Sequence, residues 1–325
     1  MASFEKINYL LRPNKSVERK MVCEMLSGIS AINDLSSYQY IGFGSTYFAD
    51  FSLFHRSFGI KKMISIEGNG QARERCEFNK PFGCIELKMG YSSTVLPNLD
   101  LSNKDSIVWL DYDGLISDIV FSDINTVVTQ MRPDSFFMLS INAEISALEN
   151  HEGFNKTQYL KNLIGEERFP NEYADKTINK KQYLEILHTC IIQHIFAAVQ
   201  RRNGMEDTKV EFRQTVHFEY KDGARMLTIG GFMFDADKAD EHLEAMKLAQ
   251  LPFYRAGEET YSIQCPVLSI KEIQALNTYL PCEPMDKDSK RFEDDNLNSF
   301  PVNNNDIDSY ASLYRYFPNF AETVL

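Results

Sequence analysis

The stretch YQYIGFGS, residues Tyr38 to Ser45, decides the fold. Its apolar run Tyr38 to Ile41 breaks at Gly42-Phe43-Gly44-Ser45, and Phe48, Phe51, Phe54 and Phe58 then recur at helical intervals. A short apolar run closed by glycines reads as a buried strand and a turn, and the spacing that follows is one face of a helix. Gly59 stands where a left-handed C-cap would end that helix. Lys62 to Ile66 (KMISI) reads as a second buried strand, tipped by Glu67.

The alternation extends in both directions. Upstream, Val17, Met21, Met25, Leu26 and Ile29 share one helical face behind Arg12-Pro13-Asn14, with Lys15, Glu18, Arg19 and Lys20 off the stripe. This predicts an amphipathic helix that stops near Asn33. The basic cluster Arg12, Lys15, Arg19 and Lys20 either receives the carboxylate of a ligand or an anionic substrate, or is a solvated helix face. Downstream come a helix over 71–78, a strand over 85–89, and the strand Ser106 to Leu110 (SIVWL) running into Asp111-Tyr112-Asp113-Gly114. A helix over 115–131 and a strand over 135–141 follow. Five strands separated by helices predict a parallel sheet with right-handed crossovers, covered on both faces.

Past Asn142 the pattern changes. A polar segment over 154–167 precedes a long helix over 181–200, with Leu184, Leu187, Ile191, Ile195 and Ala198 on one side. Val210 to Tyr220 and Arg225 to Phe234 flank Lys221-Asp222-Gly223-Ala224. Asp-Gly between two strand-like runs signals a hairpin, so an antiparallel pair follows the parallel strands. The tail reads as a helix over 270–279, a polar loop over 283–308, and an aromatic end, 310–320, that docks on the core.

Hydrophobic residues are 43% and charged residues 25% of 325, which excludes disorder along the whole chain. Lys plus Arg number 34 against 46 Asp plus Glu, a net charge of −12, so non-specific nucleic-acid binding is not expected. Residues 1–16 lack an apolar signal core and no run is long enough to cross a bilayer, so a cytoplasmic protein without a membrane partner is expected. Six cysteines include no CxxC pair, which gives no support for zinc or disulfides. Pro281-Cys282 resembles a nucleophile dipeptide of cytosine-C5 methyltransferases, but it falls outside the order that chemistry requires. His188, His194 and His217 lack ligand spacing and read as structural; His55, on the helix after the glycine turn, could face the site, and the structural reading is favoured for it as well.

In an open parallel sheet, ligands bind beyond the carboxyl ends of the strands where strand order reverses. Gly42 to Ser45 allows close backbone approach there, and Glu67, at the tip of the next strand, can accept two hydrogen bonds from ribose hydroxyls. Together they point to an adenosine-containing ligand. Valine at Gly42 or Gly44 is expected to abolish its binding and leave the fold intact.

Ile41 to Ser45, Ile64 to Glu67, Val108 to Asp111 and the late hairpin together resemble the class I S-adenosylmethionine-dependent methyltransferases over residues 38–235. The resemblance implies a Rossmann-like, doubly wound sheet of seven strands, the last antiparallel. It places Gly42, Phe43, Gly44 and Ser45 under the methionine part of S-adenosylmethionine, Glu67 on the ribose, Gly90, Tyr91 and Ser92 near adenine, and Asp111 beside the cofactor. Asp111, Tyr112 and Asp113 are the expected catalytic residues, with Asp113 alternatively capping a helix that starts near Leu115. The prolines of base-modifying amino-methyltransferases are absent after Asp111, which argues against a nucleic-acid substrate. The same region resembles metal-dependent O-methyltransferases at Asp111 and Asn142, but Ile141 replaces an acid and Glu144 would have to substitute for it, so no metal is expected.

The organisation implied is an N-terminal helical cap over 1–35, a Rossmann-like domain over 36–260 with a helical insertion at about 150–205, and a helical, aromatic extension over 261–325. The expected activity is methyl transfer to an oxygen or nitrogen of a small-molecule or protein substrate. A catalytically silent cofactor-binding sensor or partner subunit is the alternative. A nicotinamide-dependent oxidoreductase would share the glycine turn and the ribose acid, but predicts six parallel strands and no late hairpin.

Overall fold

The computed structural model describes residues 12–149, 155–281 and 302–318. Cys282 and most of the polar stretch before residue 302 lie outside the described residues. The strands are β1 Gln39–Gly42, β2 Lys62–Glu67, β3 Ile85–Met89, β4 Ser106–Asp111, β5 Ser135–Asn142, β6 Val210–Lys221, β7 Arg225–Asp235 and β8 Tyr261–Ile263. The helices are α1 Pro13–Ser27, α2 Ala49–Phe58, α3 Arg73–Asn79, α4 Ser92–Val95, α5 Asp118–Gln130, α6 Lys156–Ile164, α7 Lys180–Met205, α8 Ala239–Met246, α9 Ile270–Asn277 and α10 Asn304–Leu313. No helix among the described residues is long and apolar enough to cross a membrane.

The sheet runs β3-β2-β1-β4-β5-β7-β6-β8. Neighbours among β1 to β5 pair parallel, and β7 runs antiparallel to both β5 and β6. This is the mixed, doubly wound sheet read from the sequence, and the late hairpin sets it apart from the six parallel strands of a nicotinamide enzyme. Alternate side chains of each central strand enter opposite cores. Val108 and Leu110 of β4 pack with α5 and α7, while Ile107 and Trp109 pack with α1 and α2. Each face is buried, so the strands read as continuous apolar runs.

The sheet has eight strands, one more than the resemblance implies. β8 pairs parallel to β6 through residues 261–263, so the sheet continues past the boundary placed at residue 260. Three residues are too few to show a strand period. α5 starts at Asp118, three residues later than read, because Ser117 takes the N-cap position. α10 starts inside the predicted loop, where Asn303 caps it by accepting the Asp306 N–H. Tyr310, Leu313 and Tyr316 of the aromatic end are buried, as expected.

The largest departure is α1. Its apolar stripe is buried, but Lys15, Glu18 and Arg19, read as lying off the stripe, are buried too, at 1%, 0% and 8% exposure. Its N-cap, Arg12, makes no side-chain cap. The hairpin supplies one from a distance: Asp222 Oδ2 accepts the Lys15 N–H at 2.8 Å and Oδ1 accepts the Asn14 N–H at 3.2 Å. An acid on the amides of a helix N-terminus both satisfies donors and complements the dipole.

The four histidines serve the fold. His55 Nδ1 lies 2.8 Å from the Ile60 carbonyl and His194 Nε2 3.1 Å from that of Phe121. The rings of His188 and His217 stack at 4.1 Å, and His188 Nε2 lies 2.9 Å from Gln214 Oε1. Burial, with the neighbouring His188, lowers His217 to about 3.

Asp222→Ala should cost about 1 to 2 kcal/mol, the usual loss for a helix cap, with faster amide exchange in the first turn of α1; unchanged exchange would count against the cap. For His217 the folded pKa is depressed, so the unfolded chain takes up the proton first as pH falls below about 6.5. Stability should therefore fall from pH 6 toward pH 4, more steeply in the wild type than in His217→Asn, by about 1.4 kcal/mol per pH unit. Parallel slopes in denaturant titrations would contradict this.

Candidate functional site

The order of strands reverses at β1, with β2 on one side and β4 on the other. The chain leaves β1 and β4 toward opposite sides, and the gap at their carboxyl ends is the cavity this topology creates. Its volume is about 930 Å³, at the upper end of ligand pockets, roughly 300 to 1,000 Å³. Phe43, Gly44, Ser45, Glu67, Gly90, Tyr91, Ser92, Asp111, Tyr112 and Asp113 all line it, so the structure gathers residues spread over 71 positions.

Gly42 is the exception. It does not line the cavity, and a Cβ there would sit 2.7 Å from the Tyr40 hydroxyl and 3.2 Å from the Trp109 carbonyl. A Cβ on Gly44 would sit 2.5 Å from Ser65 Oγ and 2.7 Å from the Phe48 ring. The chain's own packing therefore requires both glycines, and valine at either position would disturb the fold itself. This corrects the expectation that such variants lose binding alone.

Glu67 Oε1 accepts the Asn69 N–H at 2.7 Å. Burial raises its pKa, with Asp113 adding to the rise and the Asn69 N–H opposing it. Gly90 takes a positive φ of 139° and donates its N–H to the Glu67 carbonyl at 2.9 Å, which turns the loop after β3 over the cavity. Tyr91 stands on the rim, 70% exposed.

Ser92 and Tyr112 prove to be one unit. Both hydroxyls donate to Asp123 Oδ2, on α5, with the Tyr112 contact at 2.6 Å. Asp123 is fully buried. Burial first, and then Asp123, pushes the Tyr112 phenol well above its ordinary pKa. Its hydroxyl is engaged by Asp123, and its ring meets Phe43 edge-on at 5.2 Å. Asp113 is exposed on the cavity wall and does not cap α5, whose N-cap position is held by Ser117 without a side-chain hydrogen bond.

Asp111 is met by Lys15, one of the basic cluster for which the sequence offered a ligand's anionic group or solvent as partner; here it pairs with carboxylates of the chain itself. Lys15 Nζ lies 2.8 Å from Asp111 Oδ1 and 2.8 Å from Glu18 Oε2. Lys15 and Arg19 line the cavity, joined by Asp50 from the first turn of α2, whose Oδ2 accepts the Tyr40 hydroxyl. Burial raises Asp50 while the Arg19 charge pulls it down. The signal for these residues was present: charged residues at 15, 18 and 19 share a helix with a wide apolar stripe, and a helix buried nearly all round must pair them.

The donor set does not assemble around Asp111 for a metal. Asn142 Oδ1 accepts the Glu144 N–H at 2.9 Å, and Glu144 Oε2 pairs with Lys221 at 2.7 Å. Ile141 is fully buried. Among the described residues no three His, Cys, Asp or Glu side chains group to hold a metal ion.

No curated protein matches the sequence. Among solved structures, a cofactor-bound Rv0187 protein from MTB is 11% identical, over 66% of this chain and 79% of that one, with a TM-score of 0.37. The O-methyltransferase from Bacillus cereus is 9% identical over 68% and 81%, at 0.34. The O-methyltransferase TomG from Streptomyces achromogenes is 12% identical over 70% and 91%, at 0.35. Likeness this remote does not define a family, but sequence does: the family described as "Putative O-methyltransferase" matches residues 7–325, and the chain belongs to it.

Proposed function

We propose that the protein transfers a methyl group from S-adenosylmethionine to an acceptor oxygen, with nitrogen as the alternative acceptor. The observation that carries this is one cavity, at the strand-order reversal, with Glu67 on one wall and Asp111 on the other. Glu67 would hold the ribose with the oxygen atom not engaged by Asn69. Gly90 and Tyr91 would flank the adenine, and the backbone of Phe43 to Ser45 would run beside the methionine part. The cofactor supplies a methyl carbon on a positively charged sulfur, open to in-line attack.

The chain's contribution is orientation and proton acceptance. Holding an acceptor in line converts a two-body encounter into a positioned one. A hydroxyl acceptor must also lose its proton, and Asp111, on the cavity wall with its side chain 26% exposed, is the carboxylate placed to accept it. Tyr112 and Phe43 shape the wall rather than move protons.

Calorimetry with S-adenosylmethionine, S-adenosylhomocysteine, NAD and ATP should show binding of the first two alone. Glu67→Ala should weaken that binding by about 1.5 to 3 kcal/mol, the range for a hydrogen bond to a charged group; unchanged affinity in a folded variant would sink the ribose role. Asp111→Asn should leave cofactor affinity within a few-fold and reduce turnover about 100-fold or more. Full turnover in that variant would remove Asp111 as the base. Cofactor binding by the wild type with no transfer to any acceptor would favour the silent-subunit reading.

A further inference from the structure

Lys15 stands in the first turn of α1, 1% exposed, yet its ammonium reaches the cavity wall. Around Nζ are Asp111 Oδ1 and Glu18 Oε2, each at 2.8 Å, and the rings of Trp109 at 4.5 Å and Tyr220 at 5.5 Å. Two carboxylates and two aromatic faces compensate a dehydrated ammonium from several directions. The shell is itself held. The Thr228 hydroxyl donates to Glu18 Oε1, Thr228 Oγ1 lies 2.7 Å from Ser140 Oγ, and Trp109 Nε1 donates to Ser140 Oγ at 3.1 Å. Asp222 fixes the backbone N–H of Lys15. Four strands, a turn and α1 thus converge on the position of one ammonium.

We propose that Lys15 is the built-in cation of the site, occupying the place beside Asp111 that a divalent ion would need, so that the acceptor end of the cavity works without a metal. A divalent ion takes carboxylate oxygens at about 2.0 to 2.6 Å, and on Asp111 it would be forced against the ammonium. The other oxygens that could complete its shell are engaged, Asn142 by the Glu144 N–H and Glu144 by Lys221. The same ammonium fixes Asp111 in place and offers a positive charge to an acceptor oxygen that becomes anionic as its proton leaves. Without it, Glu18 and Asp111 would stand as two negative charges with no counter-ion between them.

This deepens the methyl-transfer reading and rests on it for the position of the acceptor. The test needs neither cofactor nor acceptor, so the two readings fail separately. Electron paramagnetic resonance of the full chain with Mn²⁺ should show no bound ion that Asp111→Asn removes. Lys15→Met should melt several degrees below the wild type, and Lys15→Met with Glu18→Gln should recover at least half of the loss, because the second change removes the uncompensated charge. Lys15→Arg, which keeps the cation, should melt closer to the wild type than Lys15→Met. Mn²⁺ binding to the wild type that Asp111→Asn abolishes would overturn the proposal. So would a double variant no more stable than Lys15→Met. If Lys15→Met alone does not fold, the double variant is compared directly with the wild type, and its failure to fold overturns the proposal as well.

Discussion

The reversal of strand order between β1 and β4 is the constraint on which the rest of the molecule depends. It leaves a gap at the carboxyl ends of those strands that no side chain of the sheet can fill, and the loops after β1, β2, β3 and β4 all end at its edge. A gap of this kind destabilises a small domain unless the walls are held from outside. Here the outside support is α1, laid across the α2 face of the sheet with its apolar stripe in the second core. The N-terminal helix is therefore part of the wall rather than an ornament on it.

That wall contains buried charge, which is an expensive material. A buried ion pair seldom stabilises a fold relative to apolar residues of the same shape, whereas breaking one by removing a single partner is strongly destabilising. The Lys15, Glu18 and Asp111 cluster is thus better explained by what it presents to the cavity than by what it adds to stability. Burial raises the pKa of Glu18 and Lys15 opposes that rise. The hairpin turn that caps α1 through Asp222 belongs to the same arrangement, since a helix free to slide would move the ammonium off Asp111. The late hairpin thus positions the site from the opposite direction.

Most of the fold was legible because its elements obey strong local rules. The strand boundaries of β2 and β3 and the Gly59 cap follow from apolar runs and a positive φ of 69° that glycine accepts freely. β8 was not legible, since three residues carry no period. Of the residues that line the cavity, Gly44, Glu67 and Gly90 were legible where backbone geometry announces them. Lys15 and Arg19 were legible only as a basic cluster with a solvated face as the equal alternative, and Asp50 was not legible, because a periodicity argument cannot see that a second element covers a charged residue. The partner of Tyr112 was not legible for a related reason: Asp123, which engages the phenol, lies on a different element from the strand tip.

Asp123 also explains how two separated loops act as one wall. The loop that carries Gly90 to Ser92 and the loop that carries Asp111 to Asp113 leave different strands, with β2 and β1 between them in the sheet. A single fully buried carboxylate accepts a hydroxyl from each. Burial raises its pKa while the Ser92 and Tyr112 hydroxyls oppose the rise. Both hydroxyls bond Oδ2, and Oδ1 has no hydrogen-bond partner among the described residues, so losing either donor would leave the buried group with a single hydrogen bond. The two loops are consequently stable only together. In a cavity whose one side would receive the adenine and whose other would receive the acceptor, that coupling fixes the distance between the two ends before any ligand enters.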